Sequence, residues 1–167
     1  MKKILFLVAL TVMPMLLFGQ EKIGYINSSE VMMLMPEIDQ VEKDMVKYNK
    51  EKEEYLKTMY DEMQAKYDKY EKERETMSES MRKVTEQDLQ SMGERFQTAQ
   101  STFQQEAQAE QQKLLKPIQE KLQNAINAVG KKQGFLYIID TTSGALVYKS
   151  DKLVDVTSAV KKELGII

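Results

Sequence analysis

From Glu37 to Gly130 the chain carries almost nothing that would break a helix, while the stretches on either side are too short to fold alone. Between Tyr25 and Val129 the only glycine is Gly93 and the only prolines are Pro36 and Pro117. Opposite charges recur four apart at Asp39 and Lys43, Glu53 and Lys57, Glu62 and Lys66, and Asp68 and Lys72. Each such pair supports a helix by ~0.2–0.5 kcal/mol. Apolar or aromatic residues at Ile38, Val41, Met45, Tyr48, Tyr55, Met59, Met63, Tyr67, Tyr70, Met77, Met81 and Val84 step by three, four and seven. That is close to a coiled-coil period, loosened where the steps from Tyr55 to Tyr67 are all fours. A second stripe runs through Leu89, Met92, Phe96, Ala99 and Phe103, crosses a polar gap over Gln104–Gln112, and resumes at Leu115, Ile118, Leu122, Ala125 and Val129. Pro117 predicts a kink or a loosened turn, because it has no backbone donor.

The flanks read as strands. Lys22–Asn27 is β-branched and aromatic, with Ser28 or Ser29 placed to cap a short helix and Pro36 closing it or opening the next. Gly130–Gly134 predicts the end of the long helical zone. Phe135–Asp140 is a nearly continuous apolar strand, as expected where both sheet faces are covered. A turn at Thr141–Gly144 leads to a returning strand, Ala145–Tyr148, and Thr157 is placed to cap a last helix closed by Lys161, Lys162 and Gly165. An isolated strand hairpin is marginal in water, so the two flanks must meet and the helical zone must leave and return. Its midpoint is Lys83–Val84, and Thr85 and Asp88 offer a capping pattern ahead of Leu89. The fold class is therefore α+β: a helical hairpin over 37–130, its tip near Arg82–Thr85 and its arms roughly 65–70 Å long, projecting from a small β body formed by 20–36 and 131–167. A body of that size is marginal by itself, which argues for oligomerisation.

Lys2 and Lys3 precede an apolar run, Ile4–Phe18, that stops at Gly19-Gln20-Glu21. This predicts a secretory signal peptide over 1–19, cleaved after Gly19; the run is short for a membrane span of about 20 residues. With no cysteine following, a lipid anchor is excluded, and no other run would insert the product stably in a membrane, so the periplasm is the expected compartment. Removing the two lysines takes the formal charge from −2 to about −4, which leaves nucleic acid without the basic cluster it needs. The absence of cysteine also means no disulfides, so stability must come from packing or assembly. Without His or Cys, the commonest general base, the thiol nucleophile and the usual transition-metal ligands are missing. The carboxylates alternate with lysines as a solvated face does, and Gly130–Gly134 does not make a phosphate loop. No catalytic, cofactor or metal residue is assigned, and an enzyme is not expected.

The order of parts resembles the Skp/OmpH family of periplasmic chaperones over about Glu21–Leu164. The resemblance is carried by Ile23–Asn27, Pro117, Gly134–Asp140 and Asp155–Thr157. It implies a homotrimer in which three strand regions share one body and three helical hairpins surround a cavity. Unfolded outer-membrane proteins would be held there without ATP and kept from aggregating. The well-known members are strongly basic and this chain is mildly acidic, so the resemblance leaves a lipopolysaccharide or anionic-membrane contact open. For the body, the residues expected at the shared core are Ile23, Tyr25, Ile26, Phe135, Leu136, Ile138, Leu146 and Val147.

The Tyr and Met stripe has two readings that the residues alone leave open. One makes it the seam between the two arms. The other turns part of it outward, where Met59, Met63, Tyr67, Tyr70, Met77, Met81, Met92, Phe96 and Phe103 touch the client. Met is flexible and polarizable, and Tyr offers apolar area with a polar tip, which suits weak contact with many chains. The competing function is a structural or adaptor coiled coil of the cell envelope that grips one folded partner through tips near Arg82–Leu89.

Overall fold

The structure is a computed structural model and describes residues 22–144 and 146–167. The expected signal peptide lies outside the described residues. Two compact units are present: one combines residues up to Leu34 with those from Lys121 onward, and the other is Met35–Glu120. The expected boundaries thus move, since residues 121–130, assigned to the hairpin, group with the body.

The body is built on strand β1 (Lys22–Ile26), which lies between β2 (Phe135–Asp140) and the two-residue β3 (Val154–Asp155). Both pairings are parallel, with Ile26 opposite Asp140 and Tyr25 opposite Asp155. Parallel neighbours need a long crossover, and the entire helical zone is the crossover between β1 and β2. Gly24 is buried, and a Cβ there would come within 3.0 Å of the Phe135 ring and 3.1 Å of a Val156 methyl, so both side chains pack tightly over its bare backbone. Ile26, Val31, Leu122, Ala125, Val129, Val156 and Val160 form the buried core of this unit.

Two aspartates at strand ends tie down the helices that follow. Asn27, not Ser28 or Ser29, caps α1 (Ser28–Met33) by accepting the Glu30 amide. Ser28 instead donates its hydroxyl to Asp140 at 2.5 Å, and its amide also points at that carboxylate. Thr142 adds its amide at 3.1 Å and its hydroxyl at 2.8 Å. Partial burial pushes Asp140 upward, but these donors outweigh it and hold the carboxyl below its ordinary range. At the other end, the helix Thr157–Glu163 (here α4) takes its cap from Asp155, which accepts the Thr157 amide at 2.9 Å; Thr157 makes no side-chain cap of its own. The Thr157 hydroxyl is the main influence holding Asp155 below its ordinary value, helped by the Tyr25 phenol and the Lys149 charge.

The expected returning strand is not formed. Ala145 lies outside the described residues and Leu146–Tyr148 are outside any strand. Asp140 draws Thr142 into a side-chain turn, and the chain then leaves the sheet, with Val147 97% and Tyr148 80% exposed. Both edges of β1 are in use and β3 is only two residues long, so the longer edge left to the segment within one chain is the outer edge of β2. That edge is open among the described residues, and Leu136 and Tyr137 on β2 are 50% and 63% exposed, not covered on both faces.

The second unit is a hairpin of α2 (Glu37–Glu73) and α3 (Glu79–Gln133), the latter continuing beyond Glu120 into residues of the body unit. The turn falls at Arg74–Ser78, not at Arg82–Thr85. Ser78 is the reason: its hydroxyl accepts the Met81 amide and starts α3, whereas Thr85 donates back to the Met81 carbonyl inside the helix. Gly130 does not stop α3 either; Gly134 does, with φ +69°, a conformation that side-chain-bearing residues rarely adopt. Pro117 sits within α3 on its exposed side, where the carbonyl it leaves unbonded can meet water.

Because both aspartates titrate below their unfolded value of 3.8, their stabilisation is complete above that pH and is lost as pH falls through the folded values. Urea unfolding of the body is expected to be unchanged from neutrality to about pH 5 and to weaken steeply below about pH 4. Asp140→Asn should cost about 1 kcal/mol at neutral pH and flatten the acid limb. An acid limb identical to wild type in that variant would contradict the assignment.

Candidate functional site

Side chains meet across the hairpin in antiparallel order. Lys52 reaches Glu106 at 2.9 Å, the rings of Tyr55 and Phe103 lie edge to face at 5.7 Å, and Tyr60 and Phe96 are 6.3 Å apart. Further along, Lys66 pairs with Asp88 and the Tyr70 phenol donates to Glu86. The inward face of α2 runs through Met45, Tyr48, Lys52, Leu56, Met59, Met63, Lys66 and Tyr70, in steps of three and four. Leu89, Met92, Phe96, Ala99 and Phe103 answer from α3. The expected stripe therefore slips by one residue at its middle. Leu56, not Tyr55, is the seam position, and the step from Tyr48 to Leu56 passes through Lys52.

The expected polar gap is bridged. Glu106 accepts from Lys52 and, at 3.2 Å, from the Tyr48 phenol, while the Lys52 ammonium stands 4.3 Å from the centre of the Phe103 ring. The Glu106 hydrogen bond raises the Lys52 pKa, and the reciprocal bond from Lys52 lowers that of Glu106. Glu86 does the same for Tyr70, holding the phenol protonated above its ordinary value. Lys57 and Lys66 also depart from expectation: Lys57 pairs forward with Asp61 at 2.5 Å, and Lys66 crosses to the other helix.

These contacts sort the candidate residues. Met59, Met63, Met92, Phe96 and Phe103 are half-buried on the seam, and Tyr70 is 8% exposed and enclosed there. Met77 lies half-buried in the turn. Tyr67 and Met81 face outward, 49% and 55% exposed, while Tyr55 and Tyr60 stand at the flanks of the seam, about half exposed, each with its ring against a phenylalanine of α3. Arg82–Leu89, expected at the tip, lie in the first turns of α3, with Glu86 and Asp88 tied to α2. Among the body candidates, Ile26 is 1% exposed and belongs to the core of its own chain, Ile23, Tyr25, Phe135, Ile138 and Leu146 are half-buried, and Leu136 and Val147 are open.

What the arrangement can do follows from its incompleteness. Two helices cover each other from one side only, so even the seam residues keep part of their surface in water. On one flank Tyr55, Met59, Ala99 and Phe103 line an open groove of about 870 Å³, edged by Arg95 and Glu94. A smaller depression of about 290 Å³ is lined by Met63, Tyr67 and Leu89. Both are shallow apolar surfaces with polar edges, suited to weak contact with flexible chains. Among the described residues no group of acidic side chains is placed to hold a metal ion, and no helix is long and apolar enough to cross a membrane.

Comparison with known proteins points the same way. The family profile described as "Outer membrane protein (OmpH-like)" matches residues 22–164. The chain is 28% identical over 144 residues to the chaperone protein Skp of Pectobacterium atrosepticum, covering 86% of each chain. It is 29% identical over 143 residues to that of Yersinia enterocolitica, covering 86% of this chain and 85% of that one. Its fold is similar to the solved structure of an OmpH-like outer membrane chaperone from Caulobacter crescentus CB15. The TM-score is 0.70 over 87% of this chain and 85% of the other, at 17% identity.

Amide hydrogen exchange separates seam from surface. Leu56→Ala is expected to weaken the hairpin by about 1–2 kcal/mol, below the range for fully enclosed leucines, and to speed exchange around it about tenfold. Tyr67→Ala should leave the same amides unchanged. The reverse pattern would restore the stripe as first read from the sequence.

Proposed function

The chain belongs to the OmpH-like outer membrane protein family, a family of chaperones, and from that premise we propose that it is an ATP-independent holdase for unfolded outer-membrane proteins. The observation that carries the reading is the aromatic and Met surface left open on the hairpin: Tyr67 and Met81 face outward, and Tyr55 and Tyr60 stay about half exposed beside their phenylalanine partners. Such surface is large enough to touch an unfolded chain and too broken by charge to hold it tightly. Release then needs no nucleotide, because each contact is shallow and contacts are lost one at a time.

Working copies are homo-oligomers, with the trimer implied by the family resemblance. The open edge of β2, the outward Leu136 and Tyr137, and the uncovered Val147 and Tyr148 support assembly through the body, because a free strand edge beside exposed apolar side chains invites a further strand. The hairpins then line a shared space that a client enters. The compartment is the periplasm, reached by cleavage of residues 1–19. No catalytic step is assigned.

Dilution of a denatured β-barrel protein into buffer, followed by light scattering, tests the reading. The mature chain should suppress scattering at near-stoichiometric ratio, and the triple variant Tyr60→Ser, Tyr67→Ser, Met81→Ser should lose most of that effect while keeping its helical content. Equal scattering with and without the wild-type chain would reject the proposal.

A further inference from the structure

The groove beside Tyr55 has a more specific chemistry than the rest of the hairpin surface. Its floor is apolar and aromatic: Tyr55 and Phe103 meet edge to face at 5.7 Å, and Met59 lies beside them. Ala99 opens the depth, because its methyl stands where neighbouring seam positions carry Met92, Phe96 and Phe103. The volume of about 870 Å³ exceeds what one aromatic side chain occupies, so backbone on both sides of it can enter as well.

The edge is charged, and most of its charges are already engaged. Lys52 is held by Glu106 at 2.9 Å, Glu51 stands 3.9 Å from Lys47, and Glu94 accepts the Gln90 amide at 3.0 Å. Arg95 differs. It directs only Nε, at 3.4 Å, to the Ser91 carbonyl, and among the described residues it has no carboxylate partner. Its two terminal nitrogens are thus left at the lip of an aromatic floor. A guanidinium fork matches one carboxylate in a bidentate fashion. The nearby Glu51 and Glu94 would oppose a ligand of several negative charges.

Resting on the holdase reading, we propose that this groove is a socket for an unfolded polypeptide segment in which an aromatic side chain adjoins a carboxylate. The ring lies on Tyr55, Met59 and Phe103, and the carboxylate meets Arg95. The hairpin so prefers certain segments of its clients over others, which exposed apolar area alone would not do.

The chain has no tryptophan, so a tryptophan in a short unstructured peptide reports only on the peptide. Two peptides identical except for Trp-Asp or Trp-Lys are titrated into the full mature protein. The Trp-Asp peptide should show a saturable blue shift and bind about threefold to fivefold more tightly than the Trp-Lys peptide, a ratio typical of one exposed ion pair. Arg95 is exposed, so Arg95→Glu should keep its helical content and reverse the preference. Equal affinity for the two peptides, or a preference unchanged in Arg95→Glu, overturns the socket. Light scattering with a denatured β-barrel client on the same preparations separates the two claims. Suppression without a peptide preference sinks the socket alone, and absence of suppression sinks the holdase reading on which it rests.

Discussion

Two helices wrapped only on each other cannot bury what they bring together. Each stripe in this hairpin faces one partner and is open at both flanks, so Met59, Met63, Met92 and Phe96 remain half in water although they are seam residues. A leucine-rich seam in that position would be an aggregation hazard, since it would leave contiguous apolar surface exposed. The chain uses methionine, tyrosine and charge instead. Lys52 with Glu106, Lys66 with Asp88 and Tyr70 with Glu86 supply the register that apolar packing alone would leave loose. The softness of the seam and its availability to other chains are one property.

The body answers a different constraint. Its middle strand comes from one end of the chain and its neighbours from the other, so the sheet can exist only if the ends meet. Asp140 and Asp155 then fix where the chain goes after each strand, one reaching Ser28 and the other Thr157. Lys161 with Glu30 at 2.6 Å and Lys132 with Glu163 at 2.7 Å add ties between elements far apart in sequence. What this leaves unused is the outer edge of β2 and the exposed Val147 and Tyr148, which is why assembly enters the account of function.

Much of this was legible beforehand, because its causes are local or global and seldom intermediate. A helical zone without breakers and two flanks too small to stand alone require the chain to double back. The seam itself was harder. Lys52 looked like solvated surface, and skipping it moved the stripe onto Tyr55; its burial depends on Glu106, far along the other helix, which no periodicity reveals. From Lys52 a step of three reaches Tyr55 and a step of four reaches Leu56, so spacing alone does not choose between them. The turn was missed because Thr85 and Asp88 imitate a cap, whereas Ser78 is the residue whose hydroxyl meets the Met81 amide. The strand expected at Ala145–Tyr148 follows from its composition, but a strand also needs an edge, and within one chain Asp140 turns it away from the outer edge of β2.

The doubling back of α2 onto α3 is the claim beneath all the others, and native ion pairs allow it to be tested without substitution. A zero-length carbodiimide reagent joins a lysine to a carboxylate only when the two are in contact. Treated in a mixture of isotope-labelled and unlabelled chains and read by mass spectrometry, the protein should give Lys52–Glu106 and Lys66–Asp88 links within single chains. Their absence, or their appearance only between labelled and unlabelled chains, would mean that the helices do not fold back on each other and would contradict the account.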